Sequence, residues 1–102
     1  MVKLDNRNRL TISKKLMKVV ETNFNDTLML YANGKEFFVD NPSDKYSSKY
    51  CLGIIKLDSI GRFYVPKVVR NMFSLKPHQC LACYVHNNKI TFRHLVSSNI
   101  NW

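Results

Sequence analysis

Residues 55–70 read IKLDSIGRFYVPKVVR, and this stretch decides the fold because its pattern occurs twice in the chain. Sliding the sequence by 53 positions lays it without a gap on residues 2–17, which read VKLDNRNRLTISKKLM. Both stretches contain Lys-Leu-Asp, three turn residues, an arginine and an apolar run. We therefore divide the chain into a first repeat (1–40), a linker (41–53), a second repeat (54–95) and a tail (96–102).

Each repeat predicts two strands, a helix and two further strands. Short stretches rich in β-branched and aromatic residues flank residues 6–8 and 59–61, a pattern typical of a hairpin. Asn8 and Gly61 are residue types that readily adopt a positive φ. Pro66 suits the first position of a helix, and Ser13 can cap the equivalent helix. The predicted apolar stripes of these helices are Leu16, Val19 and Val20 in one repeat and Val69, Met72 and Phe73 in the other.

Composition favours one small globular domain that attracts polyanions. The 102 residues include 16 Lys and Arg against 7 Asp and Glu, which gives a net charge of +9. No membrane span or secretory signal is evident, so we expect a cytoplasmic protein without a membrane partner. The cysteines Cys51, Cys80 and Cys83 lack the spacing of a disulfide framework and are interpreted as reduced thiols.

The repeated stretch closely resembles the signature of AbrB-type proteins, in which Lys-apolar-Asp-x-x-Gly-Arg precedes an apolar strand and Pro-Lys. The resemblance implies the swapped-hairpin β-barrel of the AbrB, SpoVT, MazE and MraZ group, in which two ββαββ units interleave. Because both units lie on one chain, as in MraZ-like proteins, we expect a mainly β, intrachain pseudo-dimer with short helices. The chain is shorter than MraZ-like proteins, so their ring assembly is not carried over. The resemblance also implies that the protein comes from a prokaryotic cell, or from its phage or plasmid, and that it associates with the nucleoid.

The resemblance further implies double-stranded DNA as the partner and transcription regulation as the function. In the family, the arginine after the turn, the first-strand lysine and basic helix residues contact DNA. Asp5 and Asp58 are less suited to touch DNA, and we expect them to orient the arginines by charge-assisted bonds. Arg7 is an additional candidate, and Lys15 and Lys18 could replace the helix arginine at whose position Met17 stands. The predicted DNA-binding residues are Lys3, Arg7, Arg9, Lys14, Lys18, Lys56, Arg62, Lys67 and Arg70. The net charge is +6 after residue 53 and +2 before residue 41, so we expect the second repeat to bind DNA more tightly.

Other interpretations stay open for several of these features. Surface lysines such as Lys3 and Lys14 are often only solvated, and the same holds for Arg7. The barrel could instead be a protein-binding module, either antitoxin-like or an inhibitor of a host protein, with contacts through Phe37 or Trp102. The tail lacks the acidic character of a toxin-binding segment, which argues against a toxin. A homodimer also stays open.

The sequence does not predict an enzyme, a cofactor or a metal site. Cys80 and Cys83 form a CxxC pair, but they lie on a predicted strand, where residues three apart point to opposite faces. His86 and His94 have no neighbouring nucleophile or paired carboxylate in the sequence that acid–base or nucleophilic catalysis would use.

Overall fold

The chain folds as a mainly β structure with two short helices, as predicted. The computed structural model describes residues 1–42 and 50–94. Its elements are β1 (Val2–Lys3), β2 (Arg9–Thr11), α1 (Lys14–Val19), β3 (Thr27–Asn33), β4 (Glu36–Asp40), β5 (Gly53–Lys56), β6 (Arg62–Tyr64), α2 (Lys67–Met72), β7 (Cys80–His86) and β8 (Lys89–His94). Residues 43–49 of the predicted linker and the predicted tail, with Trp102, lie outside the described residues.

The eight strands of residues 1–42 and 50–94 form two antiparallel sheets. Six of them build one curled sheet in the order β1-β7-β8-β4-β3-β5, and β2 and β6 pair separately as a two-stranded ribbon. At one edge of the curled sheet Val2 lies opposite Leu81, and at the other edge Ile55 lies opposite Leu28. In its centre β4 pairs with β8. The hairpin β3–β4 from the first part of the chain thus lies beside the hairpin β7–β8 from its second part.

The ribbon covers the apolar side of the curled sheet and completes the core. Leu10 and Phe63 lie opposite each other in the ribbon and are almost completely buried. The Phe63 ring contacts the Phe92 ring edge-on at 5.7 Å, and Phe92 stacks on Phe37 at 5.1 Å. Phe37 has no exposed surface, so it cannot provide the surface contact considered for a protein partner.

Both helices are only six residues long and bury a narrow side. Ser13 caps α1, where its hydroxyl accepts a hydrogen bond from the Leu16 N–H at 3.2 Å. Pro66 stands at the N-cap of α2, one residue earlier than predicted. Val19 and Met72 are 55% and 53% exposed, so the predicted apolar stripes are wrong at these residues. A helix of under two turns faces the core along one line, and in α1 this line includes Met17 rather than Val19. Within the described residues, neither helix is long and apolar enough to cross a membrane.

The two short hairpin turns contain left-handed residues at the predicted positions. Asn8 has a φ of 62° and Gly61 a φ of 88°. Gly61 is also crowded, since a Cβ atom there would lie 2.6 Å from the backbone oxygen of Ile12. Gly34, in the turn between β3 and β4, has a similar φ of 64° but open space around its Cα. Substitutions at these two glycines therefore distinguish the free-energy cost of a left-handed backbone conformation from the cost of a steric clash.

We expect Gly61→Ala to destabilise the fold by about 3 kcal/mol and Gly34→Ala by about 1 kcal/mol. Both variants place an alanine in the left-handed region, but only the first also pushes a methyl group into the Ile12 carbonyl. Urea denaturation followed by circular dichroism measures both free energies of unfolding. Equal losses in the two variants would contradict the close approach of Gly61 to the Ile12 carbonyl.

Candidate nucleic-acid interface

The first of the two candidate DNA-binding turns is residues 5–9, called turn 1 here. One carboxylate oxygen of Asp5, Oδ1, accepts hydrogen bonds from the backbone N–H groups of Arg7 and Arg9, both at 2.8 Å. Its other oxygen, Oδ2, accepts from the Arg9 Nε at 2.9 Å. The Asp5 N–H in turn donates to the Arg9 carbonyl at 2.9 Å. One aspartate therefore holds both the turn and the arginine side chain.

Residues 58–62, called turn 2, repeat this arrangement. The Asp58 Oδ1 accepts from the backbone N–H groups of Ile60 at 3.0 Å and Arg62 at 2.8 Å. Its Oδ2 accepts from the Arg62 Nε at 2.7 Å. This orienting role was expected for both aspartates because a nearby carboxylate can orient an arginine by a charge-assisted bond, and these contacts agree with it.

The electrostatics of the two turns favour ionised aspartates. Hydrogen bonds from the Arg62 N–H, its guanidinium and the Ile60 N–H lower the pKa of Asp58 to about 2, against a smaller opposing effect of burial. Burial opposes ionisation of Asp5, but hydrogen bonds from Arg9 and Arg7 together outweigh it and lower the pKa of that carboxyl. Each arginine thus keeps a charged partner at neutral pH.

The ribbon brings the two arginines together on its outer face. Leu10 and Phe63 point inward, so their neighbours along both strands point outward. Arg9 lies opposite Tyr64, and Arg62 lies two residues before Tyr64 on the same strand, which makes the arginines diagonal neighbours with Cβ atoms about 7 Å apart. Within the described residues, neither arginine uses its Nη groups in a hydrogen bond. The end-on edge of each guanidinium is available for a phosphate or a base.

Tyr64 is the surface residue that sequence reasoning missed. The Arg70 Nη2 donates a hydrogen bond to the Tyr64 hydroxyl at 2.6 Å, and the guanidinium lies over the tyrosine ring at 5.3 Å. The Arg70 Nε also donates to the Val65 carbonyl at 3.1 Å. Tyr64 thus contacts the arginine of α2 and lies opposite the arginine of turn 1 in the ribbon. The signal in the sequence was its outward position in the strand, next to a buried phenylalanine.

The remaining predicted residues lie on the surface around the ribbon. Exposed lysines and one exposed arginine occupy turn 1, the two helices and the edge strands of the curled sheet: Lys3 on β1, Arg7 in turn 1, Lys14 and Lys18 on α1, Lys56 on β5 and Lys67 on α2. Lys3 and Lys56 each precede the aspartate of their turn by two residues. Met17, the α1 counterpart of Arg70, is buried, so α1 presents only lysines as cations.

The CxxC cysteines lie on opposite faces of β7. Cys83 shares the core face with Leu81 and Val85, whereas Cys80 falls on the other face. Burial raises the pKa of the Cys83 thiol to about 11, so this thiol stays protonated at neutral pH. Among the described residues, no group of three or more His, Cys, Asp or Glu side chains could hold a metal ion.

One pocket of the described part of the chain lies away from the ribbon. It has a volume of about 320 Å³ and sits between the turn joining β3 to β4 and the turn joining β7 to β8. Its lining includes Tyr31, Glu36, Phe38, His86 and Lys89. Glu36 is the single carboxylate of this lining, so the pocket does not supply a carboxylate pair for acid–base chemistry.

No protein-family model matches the chain, and neither a curated protein nor a solved structure matches it.

The low pKa of Asp58 makes stability depend on pH in the acid range. The carboxyl has a pKa of about 2 in the folded protein against an ordinary value of 3.8, so the unfolded state binds the proton more tightly. The stabilisation from turn 2 is therefore complete above about pH 4 and is lost as the pH falls toward 2. Asp58→Asn should unfold at a lower urea concentration than the wild type at pH 7, because an amide cannot replace the bonds of both oxygens.

The difference between the two urea midpoints should narrow at pH 3. Asp5→Asn provides the parallel measurement on turn 1, where the pKa is also lowered. A difference between wild type and Asp58→Asn that stays constant from pH 7 to pH 3 would contradict the ionised Asp58–Arg62 pair.

Proposed function

We propose that this chain is a DNA-binding transcription regulator of AbrB-like type rather than an enzyme. Turn 1, turn 2 and the adjoining helices would contact duplex DNA. The observation that carries the proposal is the pair of turns, which present Arg9 and Arg62 on one face of the ribbon with the same aspartate contacts.

The strand register supports the proposed fold family. Leu10 lies opposite Phe63 in the ribbon, and Phe38 lies opposite Thr91 in the curled sheet; in both pairs the residues are 53 positions apart. The same shift converts the pairing of β1 with β7 into the pairing of β5 with β3. These relations fit a pseudo-twofold axis that passes between Leu10 and Phe63 and between Phe38 and Thr91, the two pairs of equivalent residues that lie opposite each other. We propose on this basis that two ββαββ repeats interleave their hairpins within one chain, as in a swapped-hairpin barrel.

The chemistry of the ribbon face suits a nucleic acid. An arginine whose Nε is held by a carboxylate keeps its orientation and still offers two parallel N–H groups to a phosphate or to a guanine edge. The net charge of +9 draws a polyanion toward the protein at long range. The lysines of the two helices add phosphate contacts. With about six such contacts, the affinity should fall on the order of a thousandfold when the salt concentration rises from low to physiological.

A protein partner is the second candidate, and exposed apolar residues on α2 favour it. Val68 and Met72 are about half exposed, and they are four residues apart on the helix that follows Tyr64. Such a stripe fits an apolar protein surface as well as thymine methyl groups. Contacts of this kind would not depend on the arginines of the turns.

We expect Arg9→Ala/Arg62→Ala to reduce affinity for a random-sequence duplex by tenfold or more at about 0.1 M salt. The loss of two phosphate contacts should also flatten the slope of log affinity against log salt by about 1.8. Fluorescence anisotropy across a salt series measures both quantities.

The matched control is Lys35→Ala/Arg93→Ala, which removes the same charge from exposed residues of the β3–β4 turn and of β8. It should alter the affinity and the slope much less. A wild type that binds no duplex, or equal effects of the two double variants, would contradict the proposed function and favour the protein partner.

A further inference from the structure

Each turn lies beside the helix of the other repeat. The Val65 N–H donates to the Asn8 carbonyl at 2.9 Å, so α2 begins next to turn 1. The Ile12 N–H donates to the Gly61 carbonyl at 2.8 Å, so α1 begins next to turn 2. We call the first combination half A (residues 5–9 and 64–72) and the second half B (residues 58–62 and 11–19). Any ligand that covers one half therefore contacts both repeats.

The two halves carry the same charge but different cations. Each half contains four cations and one aspartate, so the unequal charges of the two repeats do not carry over to the halves. Half A has Arg7, Arg9, Arg70 and Lys67, whereas half B has Arg62, Lys14, Lys15 and Lys18. Half A is thus rich in arginine and half B is rich in lysine.

Two of the three arginines of half A, Arg9 and Arg70, are held in position by side-chain hydrogen bonds. The hydrogen bonds of Ile12 and Val65 flank the ribbon, so Arg9 and Tyr64 form a non-hydrogen-bonded pair, in which Cα atoms are about 4.5 Å apart. Tyr64 accepts a hydrogen bond from Arg70 at 2.6 Å, and Asp5 holds Arg9 from the other side. Two oriented guanidinium groups with an exposed phenol between them match the donor and acceptor edges of base pairs.

Half B keeps the Asp58–Arg62 pair but lacks the tyrosine and the second oriented arginine of this framework. Thr11 stands opposite Arg62 where half A has Tyr64, and Met17, at the position equivalent to Arg70, is 3% exposed. Its three lysines are exposed on a six-residue helix. A lysine ammonium is a compact charge on a flexible stem, which suits phosphate oxygens and does not distinguish bases well.

We infer that half A reads base edges and half B holds the phosphate backbone, so the preferred duplex is asymmetric. This inference rests on the proposed function, because it divides the work of one DNA-binding face. The bases that determine specificity should lie on one side of the centre of the binding site, although the two halves of the protein surface carry the same charge. Tyr64 and Arg70 are the proposed specificity residues.

Selection from a randomised duplex library, followed by anisotropy on the selected and a scrambled duplex, tests the division. For the wild type we expect one block of preferred bases rather than a palindrome. Tyr64→Thr/Arg70→Lys introduces the threonine of half B and keeps the charge. It should keep the salt slope but reduce the ratio of selected to scrambled affinity by about tenfold or more.

The matched variant for half B is Lys14→Gln/Lys18→Gln. It should weaken binding to both duplexes equally and flatten the salt slope by about 1.8. Thermal unfolding of both variants checks that the substitutions leave the fold intact. A palindromic preferred site, or a larger loss of discrimination from the lysine variant, would overturn the inference and leave the proposed function standing. Absence of binding by the wild type to every duplex would overturn both.

Discussion

The pairing of β2 (Arg9–Thr11) with β6 (Arg62–Tyr64) is the constraint on which the rest of the structure depends. This short ladder joins segments 53 residues apart. It places Leu10 and Phe63 side by side on the face of the ribbon that packs against the curled sheet. Because side chains alternate along a strand, burying these two apolar residues turns their neighbours outward. Packing of the core and display of Arg9 and Arg62 therefore follow from the same register. A shift of one residue would exchange the two sets of side chains.

The two Asp–Arg pairs contribute more to orientation than to stability. Their side chains remain between a quarter and a little over a third exposed, and ion pairs with this access to water contribute little to the free energy of folding. Their geometry is nevertheless well defined, since each carboxylate also accepts two backbone N–H groups of its own turn. Preorganised guanidinium groups lose less conformational entropy on binding a polyanion than free arginine side chains. The aspartates thus act as positioning residues for the proposed DNA contact.

Local features of the fold were predictable from the sequence, and features that depend on pairing between distant strands were not. The left-handed residues Asn8 and Gly61 and the cap Ser13 act within a few residues, so their patterns identify them. Pro66 was predicted at the first helical position and stands one residue earlier, at the N-cap. The exposure of Met72 and the bond between Tyr64 and Arg70 depend on which element packs beside each helix. The net charge of each repeat likewise does not reveal that each turn lies beside the helix of the other repeat, because that arrangement also depends on pairing between distant strands.

The cross-pairing of β2 with β6 is tested most directly by nuclear Overhauser effects between Hα protons. Arg9 and Tyr64, and likewise Thr11 and Arg62, form non-hydrogen-bonded pairs, whose Hα protons lie close together in an antiparallel ladder. We predict strong Hα–Hα effects for both pairs. In an equimolar mixture of isotope-labelled and unlabelled protein, these effects should be absent from the spectrum filtered for contacts between chains. Missing Hα–Hα effects, or effects that appear only between chains, would contradict the account.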